Sequence, residues 1–446
     1  IPGSWVHAGY DSQNTIIYVF AHNNNDGEFG PDGDQDIIKC GSYTGNGSTD
    51  GPEINLGFEP QWVLVKNVTT GNTNWILLDN MRGFPSPSSS STTATLFPNL
   101  TNVEAFGTRF FPTATGFKVD NTGSWVNKSG NTYIYMAIRR GPLAAPESAT
   151  DVFAIDTQSQ SSAPFAISNF PVDFAIRKDV DGSGTDGFTR LLQGTGLFLN
   201  TSAAEGSDNV AQFDYNNGYL DNTTQDSTRY NWMWKRAPSF FDVVCYNGTG
   251  SAQNITHNLG VTPEFYIVKR RDSTGAWYAY HKSIDKDGDG LPETDAIQFN
   301  GNNAAFDSAS YWNDTAPTAT TFTVGTTSGV NASGGTYIAY LFASLDGIAK
   351  VGGYTGNGTS QTINCGFAPR FVFLTKWGPV GGGNKLVWDT ERGIVAGNDP
   401  FLDLRSTAAE NSSYDFIDPD SNGFVISGTS GWVNASGSGY MFYAIA

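Results

Sequence analysis

The stretch GSYTGNGSTDG, residues 41–51, returns as GGYTGNGTSQ from Gly352 in a distant part of the same chain. In both places a tyrosine follows the first glycines, and a second tyrosine lies about 90 residues further on. A third tyrosine pair has the same spacing, so a unit of small-domain size is predicted to recur along the chain. The three pairs are Tyr43 with Tyr133, Tyr246 with Tyr337, and Tyr354 with Tyr440.

A proline-led segment lies at the same place in each unit. It reads GFEPQWVLVK from Gly57, GVTPEFYIVK from Gly260 and GFAPRFVFLTK from Gly366. Proline has no backbone N–H and fits the first position of a strand, and the residues that follow it here are mostly β-branched, aromatic or aliphatic. Each segment is therefore predicted to be a turn followed by a strand.

The region between Pro142 and Pro238 is predicted to be a diverged copy of the unit. NFPVDFAIRK from Asn169 matches the proline-led segment, and LFLNTSAAE from Leu197 matches LFPNLTNVE in the first copy. The early stretches SWV and NTIIYVFAH resemble a closing hairpin, so residues 1–37 are predicted to be the end of a truncated preceding repeat plus a linker. The predicted repeats are 38–142, 143–238 (the diverged copy), 239–346 and 347–446.

The composition favours strands and turns over helices. Hydrophobic residues make up 39% of the 446 residues and aromatic residues 13%, which is enough for packed cores. The predicted fold class is all-β, with tandem β-sandwich (jelly-roll-like) modules of about 90–110 residues. Short connections that contain proline predict a rigid assembly, and both a rod and a compact cluster are open.

The charge balance argues against nucleic acid as a partner. The formal net charge is −18 at pH 7, which repels a phosphate backbone. No apolar run reaches the length of about 18 residues that a membrane span needs, and no charged-then-apolar signal segment begins the sequence. The sequence therefore predicts a soluble protein without nucleic-acid binding or membrane insertion.

Two of the three cysteines stand at positions that are apolar in a sister repeat. Cys40 aligns with Val351, and Cys365 aligns with Leu56. A position shared with valine or leucine is predicted to be buried, so both thiols are expected to be small core residues and neither ligands nor disulfide partners. On this hypothesis Cys40 resists thiol reagents until the protein unfolds.

Few residues suit acid–base catalysis. The chain has four histidines, of which His257 aligns with Ile54 and His281 with Asp79. His257 is therefore predicted to be a packing residue. Two Asp–Arg pairs are interpreted as ion pairs that stabilise turns, with a catalytic acid beside a cation as the alternative. These pairs are Asp79 with Arg82 and Asp389 with Arg392, and no catalytic residue is predicted.

The strongest chemical signal is DKDGDGLPETD, residues 285–295. Its alternating acids can direct carboxylates at one hard cation, and Gly290 allows a sharp turn, so the loop is a candidate calcium site. The twelfth position, usually glutamate in such loops, is Ala296, and a solvated acidic loop is the alternative. The candidate ligands are Asp285, Asp287, Asp289, Glu293 and Asp295, with weaker versions of the pattern at 179–186 and 32–36.

The combination of SYTGNGS, LGFEPQWVLVK, LTNVE and VNKSGNTYIYMAI resembles a domain of unknown chemistry that recurs in virion structural and tail-fibre proteins of marine tailed bacteriophages. The resemblance covers nearly the whole chain, and it is weakest in the second repeat. It implies a non-enzymatic virion component on the tail or the capsid exterior, assembled with other virion proteins and with copies of itself. It supplies no catalytic residue.

Four functions are open at this point, and a tail fibre or adhesin is preferred. Such a protein would bind a glycan or protein of the host surface through exposed aromatics and acidic loops, with tips at 25–34 and 285–295. A capsid decoration protein would make only protein–protein contacts. A polysaccharide depolymerase would need two acids about 5–10 Å apart in a groove. A bacterial surface adhesin is the alternative outside viruses.

Overall fold

The computed structural model describes residues 18–22, 33, 35–87, 93–206, 211–221, 225–378 and 383–446. Strands account for 41% of the chain and helices for 3%, which confirms the all-β prediction. The sheets are antiparallel and follow one another along the chain in successive modules. Modules 1 to 4 denote residues 38–142, 143–238, 239–346 and 347–446.

A main sheet of one topology is present in every module. The first strand pairs with the last strand, the last strand with the proline-led strand, and the proline-led strand with the strand after it. In sheet order these strands are β1 (Ile38–Thr44), β9 (Thr132–Arg139), β3 (Pro60–Asn67) and β4 (Trp75–Asp79) in module 1; β10 (Phe153–Gln158), β16 (Asp226–Trp234), β12 (Phe174–Asp179), β13 (Thr185–Thr189) and β14 (Leu197–Phe198) in module 2; β17 (Phe241–Asn247), β24 (Thr336–Phe342), β19 (Phe265–Arg270), β20 (Trp277–His281), β21 (Asp295–Gln298) and β22 (Phe306–Asp307) in module 3; and β25 (Ala349–Thr355), β32 (Gly439–Ile445), β27 (Phe371–Gly378), β28 (Leu386–Asp389) and β29 (Leu402–Asp403) in module 4.

A smaller sheet packs across one face of each main sheet. In module 4, Val372 and Trp388 of the main sheet share a buried cluster with Ile363 and Phe424 of the smaller one, as expected for a two-layer sandwich. The remaining strands are β2 (Glu53–Asn55), β5 (Ala94–Thr95), β6 (Ala105–Phe106), β7 (Phe110–Thr113) and β8 (Gly116–Val119) in module 1; β11 (Ala166–Ile167) and β15 (Gly218–Tyr219) in module 2; β18 (Gln253–Thr256) and β23 (Thr321–Val324) in module 3; and β26 (Gln361–Asn364), β30 (Ile417–Asp420) and β31 (Gly423–Ile426) in module 4. The helical turns among the described residues are short: α1 (Ala309–Trp312), α2 (Ser328–Asn331) and two 3-10 turns, Ala149–Asp151 and Arg190–Leu192.

A tyrosine pair and an asparagine explain why the opening stretch recurs. In module 4 the rings of Tyr354 and Tyr440 stack with centroids 5.0 Å apart, and the Tyr354 hydroxyl donates to the Val433 carbonyl at 2.6 Å. The buried Asn434 side chain accepts from the Asn357 backbone N–H at 3.0 Å and donates to the Thr359 carbonyl at 2.6 Å. Modules 1 and 3 repeat this arrangement with Tyr43, Tyr133 and Asn127, and with Tyr246, Tyr337 and Asn331.

The first glycine of the YTGNG phrase has no room for a side chain, because another segment of backbone lies close to it. A Cβ at Gly356 would lie 2.3 Å from the Ala435 carbonyl oxygen, far inside van der Waals contact. In modules 1 and 3, a Cβ added at Gly45 or Gly248 would lie 2.5 or 2.1 Å from the equivalent carbonyl oxygen. A side chain here would push the first strand away from the loop that the asparagine holds.

Modules 2, 3 and 4 pack their main sheets against one another around a shared aromatic core. Phe174, Phe265 and Phe371 hold equivalent positions on the proline-led strands, and all three are buried in one cluster with Trp234 and Phe342. The cavity left between the rings measures about 40 Å³, room for about one water molecule and no larger ligand. Of the two shapes the sequence left open, these three modules form the compact cluster.

One contact is repeated three times and closes this cluster into a ring. In each case the backbone N–H of a loop in one module donates to a carbonyl just after or at the end of the next module's proline-led strand. We call these loops docking loops; they are residues 199–205, 299–305 and 404–410. The bonds are Glu205 to Arg271 at 2.8 Å, Ala305 to Trp377 at 2.7 Å, and Glu410 to Val180 at 2.8 Å. Module 2 thus docks on module 3, module 3 on module 4, and module 4 on module 2.

The predictions for the two cysteines have different outcomes, because modules 2, 3 and 4 cover one another's main sheets and module 1 lies outside this packing. Cys365 is buried in the module 4 core as predicted, and burial raises the pKa of its thiol to about 12. The prediction for Cys40 is wrong, because this residue is exposed. Val351, its counterpart, is buried in the core of the ring, whereas module 1 lies outside the ring and leaves the same sheet face open. The alignment of the two positions identified the right face of the sheet but not whether another module covers it.

A buried ion network attaches module 1 to modules 2 and 3. The Arg236 guanidinium, 1% exposed, donates to both carboxylate oxygens of Glu59 at 2.9 and 3.1 Å and lies 3.4 Å from Asp173. Arg140 lies within 3.5 Å of Glu59 and Asp242. Burial alone would raise the pKa of Asp173, but Arg236 and the neighbouring arginines hold it below its usual value. The network also includes Arg190, so three cations face three carboxylates at the junction.

Candidate functional site

The acidic loop of residues 285–295 connects β20 to β21 at the edge of module 3. Gly288 and Gly290 both have positive φ, at 83° and 75°, which lets the chain fold back on itself. Carboxylate oxygens of Asp285, Asp287 and Asp289 all lie within 4.8 Å of one another. Oxygen donors this close suit a hard divalent cation such as Ca²⁺.

The structure does not place Glu293 and Asp295 in this carboxylate group. Asp295 begins β21, where it is fully buried and accepts from the Lys286 backbone N–H at 2.6 Å. Burial, with Asp287 and other acids nearby, raises the pKa of Asp295 to about 6. Asp295 therefore anchors the base of the loop, and three of the five candidate ligands form the cluster. Calcium binding stays a prediction.

Removing calcium should lower the melting temperature of the full chain by several degrees. A cation would neutralise three carboxylates that otherwise repel one another, and a ligand at about 100 times its Kd stabilises by roughly 2.7 kcal/mol. Scanning calorimetry with calcium and with a chelator measures the shift. Asp287→Ala should abolish the shift, and Asp181→Ala, in an exposed acidic turn of module 2, should retain it. Equal melting temperatures with and without chelator would rule out the site.

The two weaker acidic stretches take different roles. Asp186 is buried beside Arg177, which also pairs with Asp221, and Asp179 accepts from Arg229 at 3.1 Å. The carboxylates at Asp179 and Asp186 therefore neutralise arginines of module 2. In the stretch 32–36, Asp36 lies 3.6 Å from Lys39, and the remaining acids fall outside the described residues.

In both Asp–Arg pairs the aspartate holds the arginine three residues later and so closes a turn. Asp389 accepts from the Arg392 side chain at 2.8 Å and from its backbone N–H at 3.0 Å, which closes the turn after β28. The guanidinium also lies over the ring of Trp232, whose indole N–H donates to Asp389 at 3.0 Å. Asp79 and Arg82 form the same turn at 2.7 Å in module 1. These contacts agree with the turn-stabilising interpretation.

The two described core histidines are buried and uncharged near neutral pH. Burial lowers the pKa of His257 to about 4 and that of His281 to about 3. His257 is 3% exposed, as predicted for a packing residue. His281 accepts from the Ser283 backbone N–H at 3.1 Å and faces the Phe442 carbonyl of module 4. Neither histidine is placed to take a proton from a substrate in solvent.

An exposed aromatic surface on module 4 was not found from the sequence. Tyr414 and Trp432 are 45% and 41% exposed, with ring centroids 5.7 Å apart. Both rest on the buried ring of Phe416, at 5.0 and 5.8 Å. The exposed carboxylate of Asp415 lies next to Tyr414 in the chain and accepts from the Ser427 hydroxyl. We call Tyr414 and Trp432, with Asp415, the aromatic platform.

The residue that aligns with Trp432 in module 1 explains why comparison of the repeats did not reveal the platform. Trp432 aligns with Trp125 of module 1, since both precede a Val-Asn pair. Trp125 is half-buried, and the Arg109 guanidinium lies over its ring at 5.4 Å from the centroid. The same residue is therefore covered in one module and open in another. A useful signal would have been Tyr414, which stands five residues before the aligned proline, where module 1 has Gly107.

Comparison with known families matches residues 8–142 and 186–446 to a domain of unknown function, DUF7483. The chain belongs to the DUF7483 family. Residues 143–185, which lie between the two matched stretches, are the first part of module 2, the copy that the sequence indicated as diverged. No curated protein and no solved structure matches the chain. The DUF7483 description names no virion, so the resemblance to phage proteins stays a prediction.

Helices are short throughout the part of the chain that the structure describes. None of them is long and apolar enough to cross a membrane.

The residues 25–34, one of the two tips predicted from sequence, fall almost wholly outside the described residues. The other tip, residues 285–295, lies within the described residues, as does the aromatic platform.

Proposed function

We propose that this protein is a non-enzymatic structural component of a bacteriophage virion, of the tail-fibre or adhesin type, that contacts a glycan on the host surface. The observation that supports it most directly is the aromatic platform on module 4. The tandem sandwiches supply a rigid support, and the net charge of −18 suits a part kept away from packaged DNA. The resemblance of the repeats to virion proteins gives the setting.

The platform has the chemistry that sugar recognition needs. A pyranose presents C–H groups on one face and hydroxyls around its edge. The exposed rings of Tyr414 and Trp432 can take the C–H face, and the Asp415 carboxylate can accept from hydroxyls at the edge. Because Phe416 and Phe401 pack beneath the two rings, the platform is preorganised and little side-chain entropy is lost on binding.

The nearby buried acid supports binding in preference to hydrolysis. Asp399 has its pKa raised to about 6 by burial, a property often found in catalytic acids. Its two carboxylate oxygens, however, accept from the backbone N–H groups of Val395 and Ile417, at 2.9 and 3.4 Å. Asp399 therefore joins two loops and is not directed at the platform. This arrangement makes a polysaccharide depolymerase the weaker candidate.

Glycan binding should depend on Trp432. We expect the full chain to bind one class of bacterial surface polysaccharide on an array, and Trp432→Ala to weaken that binding by about tenfold or more. The matched control is Trp125→Ala, which removes the aligned tryptophan where Arg109 already covers the ring. Circular dichroism confirms that both variants fold. Polysaccharide binding that survives Trp432→Ala and Tyr414→Ala together would contradict the platform.

Capsid decoration is the second candidate, and it has an observation of its own. Module 1 leaves apolar residues on its main sheet open, including Ile134 at 40% exposure, as a protein–protein contact would require. Labelling intact particles with an antibody against residues 38–446 separates the candidates by electron microscopy. Label on the tail supports the fibre, label spread over the head supports decoration, and the absence of label on particles would overturn both.

A further inference from the structure

Module 1 carries both halves of the contact that builds the ring of modules 2, 3 and 4, but it stands outside that ring. The strand registers align Trp62 of module 1 with Phe174, Phe265 and Phe371 of the ring modules. Counting onward along each strand, Val68 holds the position of Val180, Arg271 and Trp377, whose carbonyls accept the docking loops. The receiving half of the contact is therefore present in module 1.

The side chains around Val68 match those of a receiving module. Lys66 aligns with Lys178 and Lys269, which donate to docking-loop carbonyls at Ser406 and Ser202, at 2.6 and 3.2 Å. Each of these lysines also donates within its own module, and Lys66 makes that bond to Thr73. Val68 itself is 54% exposed.

A tryptophan beside the lysine completes the receiving half. Trp75 aligns with Trp277, because each pairs with the aligned lysine across β3–β4 or β19–β20. The Trp277 indole N–H donates to the Phe198 carbonyl at 3.0 Å, where the module 2 docking loop begins. In module 1 the backbone N–H of Trp75 donates to the side-chain oxygen of Asn99 at 2.9 Å, just as the backbone N–H of Trp277 donates to that of Asn300 at 3.0 Å.

The inserting half of the contact is also present. Residues 98–104 of module 1 align with the docking loops of the ring modules, with Glu104 at the place of Glu205, Ala305 and Glu410. In this loop Val103 is 86% exposed, whereas the ring loops lie against the next module. We call residues 98–104 the fourth docking loop.

The sheet face between the two halves has the composition of the ring core. Cys40, Trp62, Leu64, Met136 and Ile138 point to the side that the ring modules bury. Their counterparts include Val351, Phe371 and Tyr443, each 2% exposed or less, while the module 1 residues are half-buried or exposed. An apolar sheet face of this kind is usually covered by a partner.

We propose that three copies of this chain associate through module 1 into a second ring that repeats the internal one. The fourth docking loop of each copy would dock on Val68 and Lys66 of the next. The partner is a copy of the chain because both halves of the contact are the ones that sister modules use on one another. The number is three because the same heterologous contact closes after three modules within the chain. The proposal does not depend on the proposed function.

Sedimentation equilibrium of the full chain at tens of micromolar tests the assembly. We expect three chains per particle for the wild type and a single chain for Val103→Asp, because the substitution places an unpaired carboxylate in the contact. Val103 projects into solvent in a single chain, so the variant should keep the wild-type circular dichroism spectrum. The matched control is Val395→Asp, an exposed valine of module 4, which should leave the trimer intact.

The thiol of Cys40 supplies a second measurement on the same samples. Alkylation of Cys40 should be about tenfold slower in the wild type than in Val103→Asp, since the trimer would cover the sheet face. A wild-type protein that sediments as one chain or as two, or a trimer that survives Val103→Asp with equal alkylation of Cys40, would overturn the proposal.

Discussion

Replacing Arg236 with alanine should lower the free energy of unfolding by about 3–5 kcal/mol. The guanidinium is buried between Glu59, Asp173 and Asp242, so its loss leaves three carboxylates facing one another with fewer cations. Because these acids come from modules 1, 2 and 3, module 1 should separate from the ring before the ring itself unfolds. Urea denaturation followed by far-ultraviolet circular dichroism measures the loss.

An arginine in an exposed pair is the control for this experiment. Arg270 donates to Asp272 at 3.0 Å at the surface of module 3, and Arg270→Ala should cost about 0–1 kcal/mol. The two variants remove the same side chain and differ mainly in burial. If Arg236→Ala were as mild as Arg270→Ala, the network would not hold the modules together.

Trp234→Ala should be equally damaging, at about 3–5 kcal/mol. The indole is 2% exposed and contacts Phe153 and Phe174 of its own module, Phe342 of module 3 and Phe371 of module 4. Its removal would open a cavity in the core that three modules share. The loss should therefore appear as reduced cooperativity between modules as well as a lower denaturation midpoint.

Trp432→Ala provides the comparison for the buried tryptophan. Its side chain is only partly buried, at 41% exposure, so the substitution should cost about 1 kcal/mol. Differential scanning calorimetry of both variants distinguishes a shared core from independent modules. A Trp234→Ala protein whose module 3 and module 4 transitions are unchanged would show that the ring is not held by its aromatic core.

Local features of the fold could be predicted from the sequence because they repeat. The prolines that lead the strands, the stacked tyrosines and the close-packed Gly356 each serve a need inside one module, and that need returns in every copy. The grouping of Asp285, Asp287 and Asp289 could also be predicted, since neighbours in a tight turn are necessarily near one another. The burial of Asp295 could not be predicted, because its place in β21 is set by the module core.

Features that arise between modules could not be predicted in the same way. Cys40 and Val351 are equivalent by alignment, and only the docking of modules 2, 3 and 4 makes one buried and the other exposed. Burial at these positions depends on which modules meet, which repeat spacing does not specify.

Modules 2, 3 and 4 belong to one chain, so the ring that they form does not depend on the protein concentration. β16 ends at Trp234 and β17 begins at Phe241, while β24 ends at Phe342 and β25 begins at Ala349. Tethers this short keep the docking partners at an effective concentration of about millimolar, whatever the amount of protein present. The internal ring is thus complete in every single molecule, and diluting the protein does not take it apart.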